Sequence, residues 1–129
     1  MAKNSHDQVL KLSDLLLKGS AANAPIESFE EDNILIEEGT SVEQIFLIEE
    51  GEVEVFIRDK KVSSFPAPAV VGEMSLLFGK SVACVKSRTR IFFRRVSYDA
   101  LLDEEKRLLR ELAELRNRSN MEQGRYNLR

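Results

Sequence analysis

The sequence is short of the residues that most catalytic and metal sites draw on. It has one cysteine, Cys84, and one histidine, His6, and no tryptophan. A single cysteine excludes an internal disulfide and any structural zinc site built from paired cysteines. A single histidine leaves too few ligands for the common zinc enzymes and metal-bearing barrels, and a Ser-His-Asp arrangement would have to recruit His6 from the N-terminal segment. No apolar run approaches the ~20 residues that span a bilayer. Residues 1–20 carry His6, Asp7 and Asp14 among their apolar positions and do not read as a signal peptide. The expectations are therefore a non-enzymatic chain in the cytoplasm, with no metal, no cofactor and no membrane contact.

What is present is an ordinary globular composition: 129 residues, 43% hydrophobic and 32% charged. That length suits one domain with one core. The charge is unevenly placed. Residues 27–59 hold twelve acidic side chains and one basic, whereas residues 60–98 hold eight basic and one acidic, Glu73. Such asymmetry marks either a binding face or acidic and basic strands that neutralise each other across a sheet, and the second is the favoured reading.

Hydrophobic periodicity divides the chain. Ser5 and Gln8 have capping-box spacing, and Val9, Leu12, Leu15 and Leu16 recur at helical intervals, which predicts a helix over about 6–18 ended by Lys18 and Gly19. From residue 26 the period changes to 2, with candidate strands at 26–29, 34–36, 44–49, 52–57, 61–65, 82–87 and 91–96. Glu50 and Gly51 predict a hairpin between the third and fourth of these, with Val53, Val55 and Ile57 sharing one face. The Pro66-Ala67-Pro68 step reads as a loop. From about residue 97 the helical period returns, with Leu101, Leu108, Leu112 and Leu115 along one side. The expected organisation is an N-terminal helix and linker over 1–25, strands over 26–98, a C-terminal helix over 99–120 and a disordered tail over 121–129. Many short antiparallel strands argue a mainly β, double-sheet jelly roll with flanking helices. The C-terminal leucines predict either a helix laid on the roll or a homodimer seam.

Residues 72–87, GEMSLLFGKSVACVKS, are the candidate site. A glycine, a short helix over 73–78 and a second glycine form a turn suited to presenting backbone amides to an anion. A carboxylate in the first turn, as Glu73 is, also favours a helix without any ligand. Cys84 reads as a small buried hydrophobe, with a redox switch as the alternative if basic neighbours lower its pKa.

Residues 26–116 resemble the cyclic nucleotide-binding domain family, the β-roll of the catabolite activator protein and of the regulatory subunits of cAMP-dependent kinase. The resemblance rests on Phe29 followed by ILIEEG, on IFLIEEGEVEV, on GEMSLL and on the charged C-terminal helix. It implies a jelly-roll β-roll and a phosphate-binding cassette of the form G-E-x-[AS]-L followed by P-R-x-A-x-V. In that cassette the glutamate takes the ribose hydroxyl, the helix amides hold the cyclic phosphate and the arginine neutralises it. Gly72 and Glu73 match the ribose end, Met74 and Ser75 the helix, and Ala83 and Val85 the following strand. The arginine has no counterpart. Its position falls on Ser81 counting back from the strand and on Val82 counting forward from Gly79, while Lys80 is the nearest cation and Cys84 falls where many members place a hydroxyl beside the ligand.

Two functions follow from the resemblance. One is a regulatory or interaction module with a degenerate site that does not bind cAMP in the usual way. The other is a cAMP or cGMP sensor with an unorthodox phosphate site built from Glu73, the amides near Met74 and Ser75, Lys80, Ser81 and Cys84. In either, Leu76, Leu77 and Phe78 are the packing residues of the cassette, and the C-terminal helix is the element that a ligand would move. A protein partner is expected. Direct DNA binding is not, because only nine residues follow Asn120.

Overall fold

A computed structural model describes residues 5–122. The N-terminal helix α1 spans Ser5–Lys18. Eight strands follow: β1 Glu27–Phe29, β2 Ile34–Ile36, β3 Gln44–Glu50, β4 Glu52–Ile57, β5 Lys60–Pro66, β6 Ala69–Val71, β7 Cys84–Ser87 and β8 Ile91–Ser97. Between β6 and β7 lies the short helix α2, Ser75–Phe78, and after β8 a 3-10 turn, Tyr98–Ala100, leads into α3, Asp103–Glu122. Met121 and Glu122, expected to begin a disordered tail, belong to α3; the rest of that tail lies outside the described residues.

The strands form two four-stranded antiparallel sheets, ordered β1-β8-β3-β6 and β2-β7-β4-β5. This is the expected jelly roll, but the Glu50-Gly51 hairpin is not there. Strands β3 and β4 lie in different sheets, and Gly51, at φ +91°, is the corner between them. A side chain at Gly51 would collide with the Arg90 carbonyl, so the corner needs both the positive φ and the missing Cβ. The true hairpin joins β4 to β5 through Arg58 and Asp59, which both adopt positive φ (53° and 65°) as a type I′ turn requires. Pro66 is not in a loop. It ends β5, an edge strand, where the missing N–H is tolerated. Strand β6, just beyond the prolines, has no counterpart among the expected strands; Ala69, Val70 and Val71 are all buried, so it shows no alternation.

Strand β3 is the centre of the molecule. Ile45, Phe46, Leu47 and Ile48 are all buried, because both faces of the strand are covered. Ile45 and Leu47 meet α1 and α3 through Leu12, Leu16, Leu109 and Leu112. Phe46 and Ile48 face the roll interior with Val53, Val85 and Phe93. Leu101, Leu108 and Leu112 are buried in the cluster shared with Leu12 and Leu16 of α1, and Leu115 is half-buried.

The uneven charge resolves into ion pairs between neighbouring strands, Glu27 with Arg95, Glu49 with Arg94 and Glu54 with Lys61, and one between Glu52 and Arg88 just after β7. Arg94 also donates to the carbonyls of Ala21 and Ala24 and so fastens the linker after α1 to the roll.

Candidate functional site

The chain leaves β6 at Gly72 with φ +102°, and a Cβ there would stand 2.8 Å from the Gln44 carbonyl oxygen of β3. Only glycine permits that approach. The Tyr98 phenol donates a hydrogen bond to the Gly72 carbonyl, which anchors the turn from the far end of β8. Burial, and secondarily the Glu73 charge, push the Tyr98 hydroxyl up to about 12, with the Ser75 hydroxyl pulling the other way.

Glu73 points inward and is 5% exposed. Its partner comes from the C-terminal helix. Arg116 Nη1 donates to Glu73 Oε2 at 2.9 Å and to the Val70 carbonyl at 2.6 Å, and its guanidinium lies 4.5 Å from the centre of the Phe65 ring. The arginine is itself 9% exposed, and its Nε has no hydrogen-bond partner among the described residues. A buried carboxylate needs such a partner, since an uncompensated interior charge is strongly unfavourable.

Turns at Glu73 and Met74 lead into α2, which is shorter than the expected 73–78. Gly79 closes it in the left-handed conformation, at φ +75°, its N–H donating to the Ser75 carbonyl. Ser81 is then pinned to the loop after β2: its N–H donates to the Thr40 carbonyl and its carbonyl accepts from the Gly39 N–H, each at 2.8 Å. The Ser81 hydroxyl donates to the Ala83 carbonyl and accepts from the Ala83 N–H. That local turn delays β7, which starts at Cys84 rather than Val82.

These elements enclose a cavity of about 250 Å³. Seven of the expected site residues border it: Gly72, Glu73, Met74 and Ser75 at one end, and Ser81, Val82 and Ala83 at the other. Lys80 and Cys84 do not. Lys80 is exposed, and Cys84 faces away from the cavity because strand alternation turns Ala83 and Val85 toward it. Burial raises the Cys84 pKa, against the opposing effect of Lys86, which is the reverse of what a reactive thiol requires. Lys86 and Arg88 are also elsewhere, the first over the Phe56 ring and the second paired with Glu52. Both positions that could have held the cassette arginine thus line the cavity, and neither carries a cation.

Arg116, Phe65, Ser63 and Ser119 also border the cavity and were not among the expected site residues. For Arg116 a signal existed: it follows Leu108 and Leu112 at intervals of four, on the buried stripe of α3, where a charge needs an explanation. Among the described residues no group of three His, Cys, Asp or Glu side chains could hold a metal ion, and no helix is long and apolar enough to cross a membrane.

The family model for the cyclic nucleotide-binding domain matches residues 26–106. The chain belongs to that family, whose domain type is regulatory. Among solved structures, a cyclic nucleotide-binding domain from Methylobacillus flagellatus is similar over 92% of this chain and 81% of its own, at 21% identity and a TM-score of 0.67. The sensor domain of the transcriptional regulator DNR from Pseudomonas aeruginosa covers 95% and 94%, at 16% identity and a TM-score of 0.62. The regulatory subunit of a cAMP-independent protein kinase A from Trypanosoma brucei covers 88% of this chain but 47% of its own, at 18% identity and a TM-score of 0.62. The chain spans about half the length of that subunit and of the cAMP-bound PfPKA-R structure, of which it covers 45%. Identities this low establish a shared fold. No curated protein matches the sequence.

Proposed function

We propose that this chain is a non-enzymatic regulatory or interaction module of the cyclic nucleotide-binding type whose site does not bind cAMP in the family's usual way. The observation that carries this is the commitment of Glu73 to Arg116 beside an arginine position occupied by Ser81 and Val82. The carboxylate expected to take a ribose hydroxyl is already paired, and the cyclic phosphate would meet a hydroxyl and an isopropyl group. Each missing charge-assisted hydrogen bond is worth about 1.5–3 kcal/mol. At ~1.4 kcal/mol per decade, the loss amounts to one to several orders of magnitude in affinity. The trypanosomal subunit supports this by analogy. It is described as cAMP-independent, and a triple variant of it, one of whose substitutions introduces an arginine, is bound to cAMP in its A site.

Titration calorimetry with cAMP and cGMP tests the proposal. The expected result is no saturable binding at micromolar ligand, with measurable cAMP binding gained on Val82→Arg. Micromolar binding by the unmodified chain that Glu73→Ala abolishes would sink it. A second reading, a cyclic-nucleotide sensor with an unorthodox phosphate site, draws on Arg116, whose guanidinium borders the cavity with one N–H unpartnered among the described residues. Nucleotide binding that survives Glu73→Ala and disappears in Arg116→Lys marks that reading.

A further inference from the structure

Among the described residues the cavity wall carries two charged side chains, Glu73 and Arg116, and each is the other's partner. Nη1 makes both hydrogen bonds of the guanidinium, to the carboxylate and to the Val70 carbonyl, the Phe65 ring lies 4.5 Å from its centre, and the carboxylate offsets its charge while Nε has no hydrogen-bond partner among the described residues. The other polar side chains on the wall are the hydroxyls of Ser63, Ser75, Ser81 and Ser119. Ile36, Val55, Ile57, Val62, Phe65 and Val85 make up most of the rest. An anion entering this space would lose its hydration without meeting an uncompensated cation, which strongly disfavours it. An uncharged body of mainly apolar surface would lose little hydration and would displace water from the apolar wall.

We propose that the cavity binds an uncharged, mainly apolar small molecule bearing a hydroxyl or amide group for the Ser63 hydroxyl, in place of a nucleotide anion. The inference rests on the proposed function above and names the ligand class of that same site. Because Arg116 and Ser119 belong to α3, an occupant would touch the C-terminal helix directly.

A matched pair of fluorescent probes isolates the charge: neutral N-phenyl-naphthylamine, and anilinonaphthalene sulfonate, the same skeleton with a sulfonate added. With the full chain at neutral pH, the neutral probe is expected to bind saturably at one site per chain and at least tenfold more tightly than the sulfonate. Ser63→Leu and Ala83→Leu, which fill the cavity from two sides, should each weaken the neutral probe at least tenfold while thermal unfolding shows the chain still folded. The nearly isosteric Glu73→Gln leaves Arg116 uncompensated and should raise sulfonate affinity at least tenfold. Sulfonate binding as tight as the neutral probe's in the unmodified chain overturns the inference. So does the absence of saturable neutral-probe binding, or neutral-probe binding indifferent to both filling variants. None of these outcomes depends on the cAMP titration, so the ligand class can fail while the degenerate-site reading stands, and a failure of that reading shows separately in the titration.

Discussion

Arg116 shows how one side chain can change the meaning of a site. On a helix of mixed charge it is one arginine among several, and only its position on the buried stripe sets it apart. Removing it should leave Glu73 interior and unpaired. Arg116→Met is therefore expected to lower unfolding free energy by about 3–5 kcal/mol, read by urea denaturation. The double variant Arg116→Met/Glu73→Gln should recover much of that loss, because it removes both charges together, and the mutant cycle reports the coupling. Tyr98 gives a pH-dependent counterpart. Its phenol ionises near 10 when unfolded and about 12 when folded, so between these values the folded chain holds a proton that the unfolded chain has released. Stability from this group is complete below pH 10 and falls as pH rises toward 12. Denaturation at pH 9 and above pH 11 should show the decline, and Tyr98→Phe should flatten its share of it.

At the scale of elements, the junction between α1 and α3 turns on a buried carboxylate. Glu105 is 0% exposed; one oxygen accepts from the Leu102 N–H, a capping bond at the start of α3, and the other from the Ser20 N–H just after α1. Gly19 packs against that second oxygen so closely that a Cβ would collide with it. Gly19 was expected as a helix stop, and α1 does end at Lys18, yet Gly19 is not among the positive-φ glycines. Its glycine identity serves the packing of a second helix. Gly19→Ala should therefore displace Glu105 and cost about 1–3 kcal/mol, measured as a lowered thermal midpoint. The Glu50-Gly51 corner teaches the same lesson. A glycine flanked by alternating strands is compatible with a hairpin and with a change of sheet, and the choice depends on whether β3 and β4 find better partners elsewhere, which they do in β8 and in β5 and β7.

For the molecule as a whole, the helical layer and the roll share β3, so damage to the helix interface should be felt globally. Leu12→Ala, at a fully buried site against β3 and α3, is expected to cost about 2–5 kcal/mol, whereas Leu10→Ala, at an exposed site on the same helix, should change the unfolding midpoint little. Much of this architecture is legible in the sequence. The switch between periods of 3.6 and 2 marks α1, most strands and α3, because periodicity records which face is buried, and all of these except the doubly covered β3 bury mainly one. Strand β6, buried along its whole length, shows no alternation. The acidic and basic halves announced cross-strand pairing because charges on neighbouring strands are held within a few ångströms. The candidate site was half legible: Gly72, Glu73, Ser81 and Val82 lie in one local stretch, so a motif could expose the missing cation. The sequence by itself thus determined the jelly-roll class and the short helix between two glycines, which follow from local order and spacing, while the family resemblance implied an arginine position that falls on Ser81 or Val82. Only the tertiary structure decided that Glu73 is paired, and with what. Arg116 lies 43 residues further along, and no local pattern ties it to the cassette; the docking of α3 beside the cavity brings the two charges to 2.9 Å and leaves the site electrically balanced.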